Sequence, residues 1–355
     1  MDSEPAGHAV LSWLHQGDWA RLRAHFAQHA PATADEYAAR ALLVTQVERS
    51  AVATAQVLAD WRRACVLRPG QLLYAVNLAQ ALLDAGEPQQ ALEQALLLER
   101  RAPQSYPVLE KLALAWTALG RWEEARPIAQ RAEVLATAEG LKLPPSTRAV
   151  WADLTCTWWR PQRLGVLTLR LPEADDLPFL ATCFGDAQFM RRYHRFQSAD
   201  PVALPTFLWR AQRPPREVRR RDWLVQGPQG QALGLAALVD LDFDNARGEL
   251  LIGLPGPAGA ASYGFQATLA VMDFAFERLG LAKLLSYVYA DNPRAQANTL
   301  HLGFAQEGLL RAHVQTAEGR LDLHLNGLLR QDYQHHALLQ RALRRWRFCS
   351  QGTTP

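Results

Sequence analysis
Residues able to do chemistry gather between Arg247 and Phe304. Arg247–Leu254 reads as a strand, Pro255–Gly264 as a run of small residues, and Phe265–Leu279 as a helix. Backbone N–H groups at a helix start lack intrahelical partners and sit at the positive end of the dipole. A loop of Gly, Ala and Ser lets that backbone come close to a ligand, so the segment suits a pyrophosphate. Asn292 precedes Pro293, the pattern of a helix N-cap followed by proline in the first turn. Glu249 stands at the strand start, close enough in sequence to Arg247 for an ion pair. His194 and His301 are further candidates for proton transfer, although a lone His on a patterned helix is more often packed or solvated.

The elements that must position these residues follow from periodicity. Val166–Leu171 alternates as a strand, and Pro172–Asp176 opens a helix with acids at its positive end. Asp186–Tyr193 continues it. Trp223–Gln226, a turn at Gly227–Gly230 and Leu233–Asp240 read as a hairpin. Leu284–Tyr289 is a strand, Pro293–Leu302 a helix, and 305–315 and 320–329 a last pair of strands. Residues 331–355 form a basic helix and tail.

This order, with the strand–loop–helix, Asn292 and Leu302–Phe304, resembles the GNAT N-acetyltransferases over roughly 164–333. Gly308–Arg311 and Gly327–Tyr333 look like the branch that acetylates ribosomal-protein N-termini. The resemblance implies acetyl-CoA as cofactor, with no metal, and a primary amine as acceptor. It sets the family's phosphate loop on Pro257–Ser262, with Ala260 and Ser262 where glycines are usual and Pro257 where Gln or Arg is usual. The cofactor-binding residues it implies are Leu254, Gly259, Ala260, Ala261, Ser262, Tyr263, Gly264, Asn292 and Thr299. The resemblance implies that Asn292 helps hold the pantetheine arm. Thr299 stands where other branches carry a Tyr general acid, and Thr is a much weaker acid. Tyr263, Tyr287 and Tyr289 are the substitutes, geometry permitting, so the catalytic residues named are Glu249 as base and Tyr289.

Residues 1–145 are helix-patterned. Gly86–Ala91 and Gly120–Ala125 lie 34 residues apart, as do Pro69 and Pro103. That is the period of tetratricopeptide (TPR) repeats, and small residues such as Ala79, Ala91, Ala95, Ala113, Ala125, Ala129 and Ala132 suit close helix pairs. Gly17–Trp19 marks a degenerate unit. Thr147–Trp159 reads as one more helix carrying Trp151, Trp158 and Trp159. The expected organisation is a TPR-like domain over 1–145, a linker helix over 146–163, an α/β GNAT acyltransferase domain over 164–333 and a basic helical tail over 334–355. The fold class is thus α + α/β.

A chain of 355 residues fits two domains. A net charge of +3 is too small to argue for nucleic acid or membrane, although Arg213–Arg221 and Arg341–Arg347 are local basic runs. Four scattered cysteines without a C-x-x-C pair argue against a disulfide framework or zinc site. The start carries Asp2 and Glu4 and no basic leader, and there is no run of 18 apolar residues, so a cytoplasmic protein is expected. Expected partners are a protein or peptide in the repeat groove and the amine acceptor. Two alternatives stand beside the acetyltransferase: a catalytically inactive adaptor, and an acyltransferase using a longer acyl-CoA or an acyl carrier protein, which the basic runs would attract.

Overall fold
A computed structural model describes residues 4–47, 50–194, 200–255, 261–316 and 319–351. The chain divides into two compact units, Met1–Leu154 and Thr155–Pro355.

The first unit is helical: α1 (Glu4–Gln16), α2 (Trp19–Gln28), α3 (Ala34–Val47), α4 (Ala51–Leu67), α5 (Leu72–Asp84), α6 (Pro88–Arg101), α7 (Tyr106–Ala118), α8 (Trp122–Ala138) and the start of α9 (Pro145–Cys156). Short connections make α5/α6 and α7/α8 hairpins. Ala91, Ala95, Ala113, Ala125 and Ala132 are buried where helices approach, and Trp61, Leu78, Leu82 and Leu112 fill the space between them. The 34-residue spacing coincides with two identical helix ends. Gly86 and Gly120 have φ of +74° and +72°, a region open to glycine at little cost. At the first, Gly86 N–H donates to Leu83 and Glu87 N–H to Leu82; at the second, Gly120 donates to Thr117 and Arg121 to Trp116. Gly17 and Asp18 make the same pair of bonds to Leu14 and Trp13. Two buried carboxylates tie the helices together. Asp60 accepts from Arg40 at 2.8 and 2.6 Å, and Glu110 accepts from Tyr106 and Thr147, both at 2.8 Å.

The second unit is an eight-stranded sheet in the order β1-β2-β3-β4-β5-β6-β8-β7. Its strands are β1 (Gln162–Leu164), β2 (Leu167–Arg170), β3 (Arg221–Gln226), β4 (Ala232–Asp242), β5 (Arg247–Gly253), β6 (Lys283–Tyr289), β7 (Ala305–Thr316) and β8 (Gly319–Leu329). All neighbours are antiparallel except β5 and β6. The helices are α10 (Leu177–Gly185), α11 (Ala187–Tyr193), α12 (Leu204–Ala211), α13 (Pro215–Val218), α14 (Ala261–Asp273), α15 (Pro293–His301), α16 (Arg330–His335) and α17 (Ala337–Gln351). A π-helical turn at Phe274–Arg278 ends α14.

Strand alternation sorts the helices between the two faces. Leu235, Ala237, Val239 and Leu251 pack under α10, α11 and α12. On the other face Trp223 meets Phe274, edge to face at 5.1 Å, under the end of α14.

Three features add to the sequence-based expectation. β1 follows the helix break at Arg160-Pro161 and extends the sheet by one short strand. The end of the arginine run, Arg220 and Arg221, is buried while Arg213 and Arg219 are exposed. Arg221 is 1% exposed, lies under Trp158 at 5.0 Å and donates to the carbonyls of Asp222 and Ala211; Arg220 pairs with buried Asp222 at 2.7 Å. The expected C-terminal helix is packed into the second unit, because Leu339 and Leu343 are buried. Among the described residues, no helix is long and apolar enough to cross a membrane.

Candidate active site
β5 and β6 pair only at their starts, through Arg247–Lys283, Gly248–Leu284 and Glu249–Leu285. Beyond that point β5 stays with β4 to Gly253, and β6 stays with β8 to Tyr289. The ladder between them stops at Glu249, so the sheet opens into a wedge. An extended ligand carrying amide groups can enter such a wedge as an added strand. A cleft of about 370 Å³ lies here, lined among others by Glu249, Tyr287, Tyr289, Asn292, Thr299 and Arg192.

Parallel register puts paired residues on one face. Glu249, Leu285, Tyr287 and Tyr289 therefore share the face covered by α10–α12. Leu250, Ile252, Ser286 and Val288 share the α14 and α15 face. The cleft thus has a carboxylate and two phenols on one side of the sheet and two helix N-termini on the other.

Glu249 is 2% exposed, in the middle of the sheet. Arg247 is exposed and lies 3.3 Å from Asp242. α11 closes the carboxylate's side of the cleft. Phe189 and Tyr193 stack at 5.7 Å over Gly253, where a Cβ would come within 2.8 Å of each ring. Gly253 thereby lets α11 lie against β5. Burial pushes the Tyr193 phenol up from its ordinary value, so it stays protonated.

On the opposite face Asn292 caps α15, its Oδ1 accepting from Ala295 N–H at 3.1 Å. The helix is fixed by a reciprocal amide pair: Gln296 Nε2 donates to Asn326 Oδ1 at 2.8 Å, and Asn326 Nδ2 donates back to Gln296 Oε1 at 3.0 Å. Asn326 also donates to the Ser286 carbonyl at 3.2 Å. This buried pair locks α15 to β6 and β8, which sets where Asn292 and Thr299 stand.

Of the residues named from sequence, Glu249, Tyr289, Gly264, Asn292 and Thr299 line the cleft. Leu254 and Tyr263 are not among its lining; the Leu254 side chain packs over Gly234 and Gly264. Ala261 and Ser262 are the first residues of α14. Gly259 and Ala260 lie outside the described residues. His301 lines the cleft, whereas His194 Nε2 lies 3.2 Å from Arg220 Nη1. Sequence reasoning missed Arg192, Arg294 and the Gln296–Asn326 pair. An amide between Leu325 and Gly327, in a strand that must be buried, was the available signal for the last. Among the described residues there is no cluster of acids, histidines and cysteines placed to hold a metal.

A sequence-family profile described as an acetyltransferase (GNAT) domain matches residues 166–305. This segment is a GNAT acetyltransferase domain. N-acetyltransferase is the enzyme class that the domain carries. No curated protein matches the chain. Among solved structures the GNAT unit is similar to spermidine N-acetyltransferase from Vibrio cholerae in complex with CoA and spermine. Identity is 22%, the TM-score is 0.43, and the match covers 48% of this chain and 98% of that one. It is also similar to the spermidine/spermine N-acetyltransferase of the same organism with manganese ions, at 22% identity and a TM-score of 0.40, covering 48% of this chain and 97% of that one.

Proposed function
We propose that the chain transfers an acetyl group from acetyl-CoA to a primary amine, a protein N-terminus or a lysine. The observation carrying this reading is the wedge between β5 and β6, open and flanked by helix starts, within a GNAT domain. A site that had decayed into an adaptor surface would have its wedge filled by side chains, whereas this one holds a cleft of about 370 Å³. The wedge edges suit a pantetheine arm, and the N-terminus of α14 suits a pyrophosphate.

Bound acetyl-CoA supplies an activated thioester carbonyl. Backbone groups of 250–253 and 286–289 hold the arm, with Asn292 and Thr299 beside it. Glu249 takes the proton from the incoming ammonium, directly or through a water. The Tyr289 hydroxyl, on the same face, is the proton source for the departing sulfur. The helical unit is a TPR-type scaffold that recruits the protein bearing the acceptor amine; the repeated helix ends at Gly86 and Gly120 support this.

Calorimetric titration of the full chain with acetyl-CoA and CoA tests the reading. Micromolar binding of both is the expected result. A folded sample that binds neither would overturn it.

A further inference from the structure
The basic stretch Arg341–Arg347 lies beyond the matched domain and has no part in the mechanism above. It belongs to α17, which packs beside β1 and α14. Leu339 and Leu343 are buried, Trp346 C=O accepts from Gly165 N–H at 3.4 Å, and Arg347 pairs with Asp273 at the end of α14. A different face of the helix carries Leu338, Arg341, Ala342, Arg345 and Trp346, at the i, i+3, i+4, i+7, i+8 spacing of one stripe. Together with Phe265 of α14 these residues line a second cavity of about 330 Å³.

Phe265 borders both cavities, so the second adjoins the cleft at the first turns of α14. Phe265 meets Trp346 edge to face at 5.6 Å. The cavity therefore offers two guanidinium groups, two aromatic rings and no acid. Guanidinium forks bind phosphate, and aromatic rings take the flat face of a base.

We infer that α17 holds the nucleotide end of the acyl-CoA, with Arg341 and Arg345 on its phosphates and Trp346 and Phe265 against its adenine. This rests on the proposed acetyl-CoA donor. It also accounts for the phosphate loop, where Pro257 offers neither a side-chain cation nor a backbone N–H. Charge for the phosphates comes from a helix far along the chain.

The test is calorimetry on the full chain with three probes: CoA, 3′,5′-ADP and 4′-phosphopantetheine. Arg341→Ala with Arg345→Ala is expected to weaken CoA and 3′,5′-ADP about tenfold or more and to leave 4′-phosphopantetheine unchanged. Both arginines are exposed, so an unchanged circular dichroism spectrum confirms folding; Trp346→Phe should weaken CoA less. If the wild-type chain binds CoA and the double variant binds it equally, the inference fails and the donor reading stands. If the wild-type chain binds no CoA, the donor reading fails and takes the inference with it. If the double variant loses an acyl carrier protein but keeps its CoA affinity, the basic face docks a carrier and the inference is overturned.

Discussion
Glu249 combines three properties that a base in this site needs: a carboxylate, burial to 2% exposure, and a position where β5 and β6 begin to part. Replacing it by Gln keeps the shape and removes the proton acceptor. Glu249→Gln is expected to lower kcat by roughly 10²- to 10⁴-fold while acetyl-CoA affinity in calorimetry stays within a factor of about three. Loss of binding in step with turnover would make Glu249 a structural carboxylate instead. Tyr287 and Tyr289 share its face, which permits a comparison. Tyr289→Phe should reduce kcat at least about tenfold and Tyr287→Phe much less, read in steady-state assays with a small primary amine. Equal effects would remove Tyr289 from its assigned role. The buried arginines carry a different lesson. Arg221 donates to backbone carbonyls and lies under Trp158, so the end of a basic run in sequence became internal bracing.

Among the elements, α15 depends on one buried amide pair. Removing the Asn326 amide leaves Gln296 Oε1 without its donor, while Gln296 Nε2 keeps Gln306 Oε1 at 3.2 Å; a buried oxygen left unpaired costs more than the bond itself contributes. Asn326→Ala is expected to destabilise the GNAT unit by about 1–3 kcal/mol in urea unfolding. It should also raise the KM for acetyl-CoA by freeing the helix that carries Asn292 and Thr299. Replacing both amides by Leu should recover stability but not KM. Unchanged KM in both variants would mean that the pair only packs the core. The wedge is likewise an element-scale property: β5 follows β4 and β6 follows β8, and their divergence past Glu249 leaves the cleft.

For the whole molecule, the two units carry separate cores and separate sensitivities. In the helical unit, burial acts to raise the Glu110 carboxyl, but the Lys111 charge and the bonds from Lys111, Thr147 and Tyr106 outweigh it and hold the group below its ordinary value of 4.5. A depressed folded-state value gives stability that is present above the unfolded value and lost as pH falls through the folded one. Acid titration followed by helical circular dichroism should thus show loss of the first unit below about pH 4.5, the ordinary carboxyl value. Glu110→Gln should lower stability at neutral pH by about 1–3 kcal/mol and flatten the acid arm. An unaltered acid arm would move the sensitivity elsewhere. The recruiting role given to the helical unit is testable by deletion. A chain beginning at residue 144 should acetylate a small amine at the full-length rate and a protein acceptor more slowly. Equal rates on both would leave the helices without a role in acceptor delivery.

Much was legible along the chain because it is local. The spacing of Gly86 and Gly120 marks helix ends that need a left-handed residue, and alternation at Val166–Leu171 marks a strand; both depend on neighbours a few residues away. Glu249, Asn292 and Thr299 were legible because the motif order fixes which strand and which helix carry them. What the sequence could not supply depends on distant pairing. Whether β5 and β6 stay together or part is a matter of register with β4 and β8, some 40 residues apart in the case of β6 and β8. The Gln296–Asn326 pair spans 30 residues, and the burial of Arg221 required Trp158 to cover it. Leu254 and Tyr263 sit next to cleft residues in sequence yet are not among its lining, because packing, not adjacency, sets side-chain direction. The sequence alone determined which chemistry-bearing residues exist and which elements hold them. Only the tertiary structure decided which of them share a face, because each face is assembled from strands and helices far apart along the chain.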